Sequence, residues 1–207
     1  MTDLKDVVKT IVHYLCVILV SPALVGYWLS AFAFGRNRAL EGWSQAFAPL
    51  PGVPGVYLRR AFLSFVLARC HRTAEVHFGT LFSQAGAVLD ENVYVGPNCH
   101  LGLVYLEKDV LLAAGVHVPS GGKTHFIDDP EVPIRNQGGI RSLVTIGEGA
   151  WIASGSVVMA DVGKGTVVGA GSVVTKPLPD HVVAAGVPAK IIRSRREHQS
   201  DGTTGST

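Results

Sequence analysis

Charge is scarce in this chain. Asp, Glu, Lys and Arg make up 16% of 207 residues, against 47% hydrophobic residues. A folded domain so poor in charge covers part of its surface, either by self-association or against lipid. The formal net charge is +2, which gives no field for a polyanion. No basic patch interleaved with aromatics is present, so nucleic acid is excluded as a partner. Cysteine is limited to Cys16, Cys70 and Cys99, with no CxxC. An odd, widely spaced set excludes a disulfide framework and fits a reducing compartment.

Charge is missing altogether from Ile11 to Gly35, "IVHYLCVILVSPALVGYWLSAFAFG". At about 1.5 Å per residue, such a run can cross a hydrocarbon core roughly 30 Å thick. Pro22 is expected to kink or break a helix there. Three readings follow: one kinked span, a re-entrant pair of short helices, or a helix pair buried in a soluble oligomer. Lys5 and Lys9 precede the run and Arg36 and Arg38 follow it, so positive charge does not select an orientation. The segment "YLRRAFLSFVLARC" (57–70) has apolar residues at helical spacing, with arginines that suit an interfacial helix. Residues 1–70 are therefore read as an apolar, helical, membrane-associated region.

What replaces charge in 71–187 is a repeat. Leu89, Val95 and Leu101 are followed by Leu106, Leu112 and Val118, then by Ile146, Ile152 and Val158, then by Val162, Val168 and Val174. A branched aliphatic every six residues, with a small residue after it, is neither a helical nor a simple strand period. It fits short flat strands that turn a corner every six residues, three to a coil of a parallel β-helix. The repeat stops for "SGGKTHFIDDPEVPIRNQGG" (120–139), a polar stretch rich in turn formers. On this register His77, His100 and His117 precede inward Phe78, Leu101 and Val118, with His100 and His117 stacked one coil apart. The remainder, 188–207, is basic and polar, without an apolar period from Ser194 on.

The run "VTIGEGAWIASGSVVMADVGKGTVVGAGSVVTKPLPDHVVAAGVPAKIIR" (144–193) resembles the hexapeptide-repeat O-acetyltransferases, in the maltose and galactoside acetyltransferase branch. The resemblance covers about 75–193, and the N-terminal part is similar to that of exopolysaccharide and colanic-acid acetyltransferases. It implies an all-β, left-handed parallel β-helix, a homotrimer, acyl-CoA sites between subunits, acetyl-CoA as donor, no metal, and a saccharide or lipid-linked saccharide acceptor. With the apolar N-terminus, it implies a place on the cytoplasmic face of a bacterial-type inner membrane, where acyl-CoA is found. In the family the catalytic His lies in an interrupting loop just before the coils resume, the position that His125 occupies here.

Acetyl transfer to a hydroxyl needs a base, donors for the oxyanion and a scaffold that aligns both substrates. Histidine suits the first task because its unperturbed pKa of about 6.5 leaves a neutral base near pH 7. Of eight histidines, His125 alone lies in the interrupting loop; His117 is its main competitor, and His13 and His198 are weak candidates. The group that orients His125 stays open among Asp128, Glu131 and a backbone carbonyl. The resemblance assigns the CoA side to Ala153, Ser154, Ala170 and Gly169, where small residues admit a pantetheine chain. It assigns phosphates to Thr175, Lys176, Lys190 and Arg193, and puts Trp151 beside the acceptor cleft. Two other classes are weighed: a zinc carbonic anhydrase using His100, His117 and His125, and a β-helix scaffold without activity.

Overall fold

The computed structural model describes residues 4–196, with side chains from residue 10 onward. Three helices come first: α1 (Leu4–Phe34), α2 (Arg36–Phe47) and α3 (Gly52–Val66). They close one end of a solenoid of about six coils. The first coil contains β1 (Arg69–Cys70), β2 (Glu75–Val76) and β3 (Leu81–Phe82). The second contains β4 (Val88–Leu89), β5 (Tyr94–Val95) and β6 (His100–Leu101), and the third β7 (Val104–Leu106), β8 (Leu111–Leu112) and β9 (His117–Val118). After the excursion at 120–142 come β10 (Val144–Ile146), β11 (Trp151–Ile152) and β12 (Val157–Val158), then β13 (Val167–Val168) and β14 (Val173–Val174). β15 (Val182–Ala185) opens the last coil, and β16 (Lys190–Ser194) folds back antiparallel on it.

Every other strand pairing is parallel, and the strands stack into three faces. We call them face A (β1-β4-β7-β10), face B (β16-β15-β13-β11-β8-β5-β2) and face C (β14-β12-β9-β6-β3). The six-step aliphatics point inward: Leu89, Val95, Leu106, Leu112, Ile146, Ile152, Val158, Val168 and Val174 are all 0% exposed. At ~25 cal/mol per Å² of apolar area, this unbroken column is the main cohesive term. Corners are turned by left-handed residues three positions before an inward residue. Asn92, Asp109, Gly149 and Gly165 lie in one column and Asn98, Gly115, Gly155 and Gly171 in the next, all with φ between 57° and 69°. Only Gly, Asn and Asp take that conformation readily.

Several expectations change. The inward residues of the first coil are Cys70, Val76 and Phe82, so His77 follows an inward residue and Phe78 points outward at 45% exposure. The solenoid thus begins at Arg69, inside the stretch assigned to the helical region. At the other end β16 (Lys190–Ser194) is a strand within the stretch assigned to the tail; His198 and the rest of that tail lie outside the described residues.

The re-entrant helix pair is also replaced: α1 runs unbroken through Pro22. Proline there removes the N–H that would bond the Ile18 carbonyl. The Ser21 hydroxyl donates to that carbonyl instead, at 2.8 Å, so the freed group is satisfied.

α3 lies against α1 and the first coil with Ala61, Phe62, Leu63 and Val66 buried, and its Arg59 and Arg60 are buried as well. Arg59, 2% exposed, is a clamp at the end of α2. Its Nε donates to the Val76 carbonyl at 2.9 Å, and its Nη1 to those of Leu50 (2.7 Å), Phe47 (3.2 Å) and Ala48 (3.3 Å). Replacing it leaves buried carbonyls without donors. Arg59→Met is therefore expected to cost about 3–5 kcal/mol, read from urea unfolding in detergent, with Arg59→Lys recovering only part. A loss under about 1 kcal/mol would contradict the clamp.

Candidate active site

Face C carries the outward column Leu81, His100, His117, Val157 and Val173. One coil separates His100 from His117, and their rings stack 4.9 Å apart at 17°. On one side stands α2, held to the first coil by the Ser44 hydroxyl, which accepts from the Phe82 N–H at 3.1 Å. The Asn37 side-chain oxygen accepts from the Ala85 N–H at 2.9 Å. On the other side rises the excursion. Between them lies a cleft of about 680 Å³ lined by Arg38, Glu41, Gln45, His100, His117, Thr124 and Arg141, among others.

The excursion is a ladder with a turn at its tip. Ser142 N–H donates to the Ser120 carbonyl (2.9 Å), Ile140 N–H to Lys123 (2.8 Å) and Phe126 N–H to Gly138 (3.0 Å). The Gln137 side chain closes the tip. Its Nε2 donates to the carbonyls of Asp129 and Val132, both at 2.7 Å. Ser120, with φ 67°, starts the departure, and its hydroxyl accepts from the Leu103 N–H at 2.7 Å. Gly139 abuts Thr124 and His125 so closely that a Cβ there would lie 2.0 Å from the Thr124 carbonyl oxygen. Sequence reasoning missed Gly139, Gln137 and the α2 wall; they show as a close approach, a cap and a cleft wall only once the fold is seen.

His125 lies on this ladder, exposed, next to the cleft-lining Thr124. Neither Asp128 nor Glu131 is hydrogen-bonded to its ring among the described residues. Asp129 instead caps the tip, its Oδ1 accepting from the Glu131 N–H at 2.9 Å. Among the described residues no three metal-ligating side chains converge. His100 and His117 stack face to face, and among the described residues no third ligand joins them, which does not favour the zinc reading.

The residues assigned to the CoA side fall in three places. Ala153, Ser154, Gly169 and Ala170 lie at the corner between faces B and C. There each coil bonds the next: Ala153 N–H to the Val168 carbonyl, Gly171 N–H to Ser154, Gly169 N–H to Ala184, at 2.8–2.9 Å. Lys190 pairs with Ala185 at the head of that small-residue edge. Trp151, 47% exposed, stands on face B in the column Tyr94, Leu111, Trp151, Val167, Val183, which Arg193 continues. Thr175 and Lys176 are exposed at the corner between faces C and A, the edge from which the excursion leaves. Within one chain, face C therefore separates the small-residue edge from His125, Thr175 and Lys176.

The stacked pair has an electrostatic signature. His100 is held below its usual 6.5, first by partial burial and second by the neighbouring His117. The folded state thus binds the His100 proton more weakly than the unfolded chain. That contribution is absent well above pH 6.5, and stability falls as pH drops from 6.5 through the folded value. His117→Gln is expected to raise the His100 pKa part of the way back, since burial remains. An NMR titration of His100 that does not move would contradict the coupling.

No protein-family model matches the chain. Sequence relatives were found. It is 31% identical over 169 residues to galactoside O-acetyltransferase of Escherichia coli, covering 69% of this chain and 80% of that protein. It is 31% identical over 122 residues to a candidate lipopolysaccharide-biosynthesis O-acetyltransferase of E. coli, covering 54% and 62%. A candidate acetyltransferase of Saccharomyces cerevisiae is 37% identical over 124 residues, and the chain spans 61% of its length. In three dimensions, a galactoside acetyltransferase solved with coenzyme A superposes with a TM-score of 0.63 at 23% identity, over 82% of this chain and 87% of that one. That similarity fixes the left-handed solenoid.

Proposed function

The chain belongs to the hexapeptide-repeat O-acetyltransferases, in the galactoside and maltose branch, and from that premise we propose that it moves an acetyl group from acetyl-CoA to a sugar hydroxyl. The observation that carries the reading is a polar cleft on a solenoid of this family, walled on one side by the loop that carries His125. His125 takes the hydroxyl proton as the oxygen attacks the thioester carbonyl. A backbone N–H of the adjoining coil bonds the oxyanion. The C–S bond then breaks, and the thiolate leaves with the proton that the imidazolium returns.

Acetyl-CoA lies along the small-residue edge of Ala153, Ser154, Gly169 and Ala170. Lys190 stands at its head, Arg193 of the same protomer serves the phosphates, and Thr175 and Lys176 reach them from the neighbouring protomer, on the side of its His125 loop. That edge and His125 lie on opposite sides of face C, so we assign the complete site to a homotrimer in which one protomer's loop meets the next protomer's edge. Exposed Ile127 and Ile134 on the loop, with Leu111 and Trp151 on face B, give such contacts apolar surface. An active, monodisperse monomer by light scattering would remove the trimer.

The acceptor class is a saccharide precursor of a polysaccharide or a lipid-linked saccharide. Its support is the cleft's hydrogen-bonding wall, the apolar α1 and the relative described for lipopolysaccharide biosynthesis. We place the enzyme on the membrane face where acetyl-CoA is present, with the helices before Arg69 as membrane-associated region, the coils from β1 to β16 as transferase domain and the residues after Ser194 as tail. The test is CoA-thiol release by purified full-length protein with acetyl-CoA and a panel of sugars. Release that depends on added sugar is expected; release indifferent to every sugar would overturn the reading.

A further inference from the structure

α2 separates two cavities. One flank of the helix, through Arg38, Glu41 and Gln45, walls the cleft on face C. The other, through Arg38, Ala39, Gly42, Trp43 and Ala46, forms a hollow of about 540 Å³ with Ser30 and Phe34 of α1. Arg38 lines both. The second hollow is apolar apart from Ser30 and Arg38, and Ser30 is already engaged. Its hydroxyl donates to the Tyr27 carbonyl at 2.8 Å and accepts from the Trp43 indole N–H at 3.1 Å. Arg38 is exposed and takes part in none of the ion pairs or side-chain hydrogen bonds found among the described residues. Glu41, one turn on, faces the cleft and not the hollow. Phe34, which lines the hollow, is 67% exposed, and elsewhere on α1 Leu29 and Phe32 are 68% and 95% exposed.

An occupant must bring a long apolar chain, an anion for the guanidinium at its end, and a polar group beyond the anion that reaches the cleft. We propose that the sugar acceptor arrives on a long-chain polyisoprenyl phosphate, with its hydrocarbon in the α1–α2 hollow, its phosphate at Arg38 and its sugar in the cleft above His100 and His117. The proposal rests on the sugar-acetylation reading and names the carrier of that sugar. An Arg fork matches phosphate oxygens, and a mostly apolar concavity with a few placed polar groups is the usual form of a ligand site.

Gly42 supplies a clean probe, because a Cβ built on it meets nothing within 4 Å. Gly42→Phe therefore adds bulk at the lining of the trough with no clash at its Cβ. Two readouts are made on full-length protein in detergent. The first is quenching of Trp43 fluorescence by a polyisoprenyl phosphate and by the corresponding polyisoprenol, with Trp43→Phe marking the signal. The second is acetyl transfer to one hexose, free or carried on the polyisoprenyl phosphate.

Wild type is expected to bind the phosphate in preference to the alcohol, and Arg38→Gln to abolish that preference. Gly42→Phe is expected to raise KM for the lipid-linked hexose by about tenfold or more and to leave free-hexose transfer unchanged. Equal binding of phosphate and alcohol by wild type, or equal effects of Gly42→Phe on both acceptors, would overturn the proposal. Transfer to neither hexose, with selective quenching intact, would strike the transferase reading and support the trough.

Discussion

After gentle lysis the protein is expected to sediment with membranes and to leave them with detergent but not with high salt. α1 buries a single stripe, Cys16, Val20, Tyr27 and Ala31, against α2 and α3. The rest of the helix leaves Ile11, Tyr14, Leu15, Ile18, Leu19, Val25, Trp28, Leu29, Phe32 and Phe34 48–95% exposed. A large apolar side chain contributes about 1.5–3 kcal/mol when removed from water. Ten such side chains, each partly covered already, amount to on the order of 10 kcal/mol, and salt does not screen that term. The segment Thr10–Phe34 has a mean hydropathy of 2.0 and is long enough to cross a bilayer. Leu19→Asp with Leu29→Asp alters only exposed positions. The pair is expected to move protein into the soluble fraction while the coils persist by circular dichroism. Full recovery of wild type without detergent would contradict this.

His125→Ala is expected to lower turnover by about two to four orders of magnitude, the usual effect of losing a positioned base. Acetyl-CoA affinity should stay near wild type, because the ladder that holds the loop is made of backbone bonds at 120–142 and not of the imidazole. His117→Ala acts differently. Its ring stacks on His100 in the cleft floor, so its loss should raise KM for the acceptor more than it lowers kcat. If His117→Ala is the inactive variant and His125→Ala turns over normally, the excursion is a specificity element and the base is on face C.

Much of the solenoid was legible because each coil repeats one physical demand. An inward aliphatic every six residues marks the core, and the predicted one-coil offset of His100 and His117 appears as a 4.9 Å ring stack. A stronger signal went unused: Gly, Asn or Asp three residues before the inward position, set by the left-handed corner. It extends back to Gly79 before Phe82, with φ 75°, and places Phe82 inward in place of Phe78. The role of Arg59 was not legible, because its charge suggests a surface while its four carbonyl partners come from the end of α2, the turn after it and β2. Pro22 leaves a single span and a broken pair equally open in the sequence, because the Ser21 hydroxyl that takes over the Ile18 carbonyl is a local accommodation no helix pattern announces. The α2 wall of the cleft depends on Ser44 and Asn37 reaching the first coil, contacts 38 and 48 residues apart in sequence that no local pattern announces.

The central claim is that an acetyl group passes from acetyl-CoA to a sugar oxygen. It is tested most directly by the chemical identity of the product. Full-length protein in detergent is incubated with isotopically labelled acetyl-CoA and the sugar that best stimulates thiol release, and the products are separated and read by mass spectrometry and NMR. The account predicts a sugar one acetyl group heavier, with the label in an ester on a ring or chain hydroxyl, and its absence with His125→Ala. Label recovered only as free acetate, or an ester formed equally fast by His125→Ala, would contradict it.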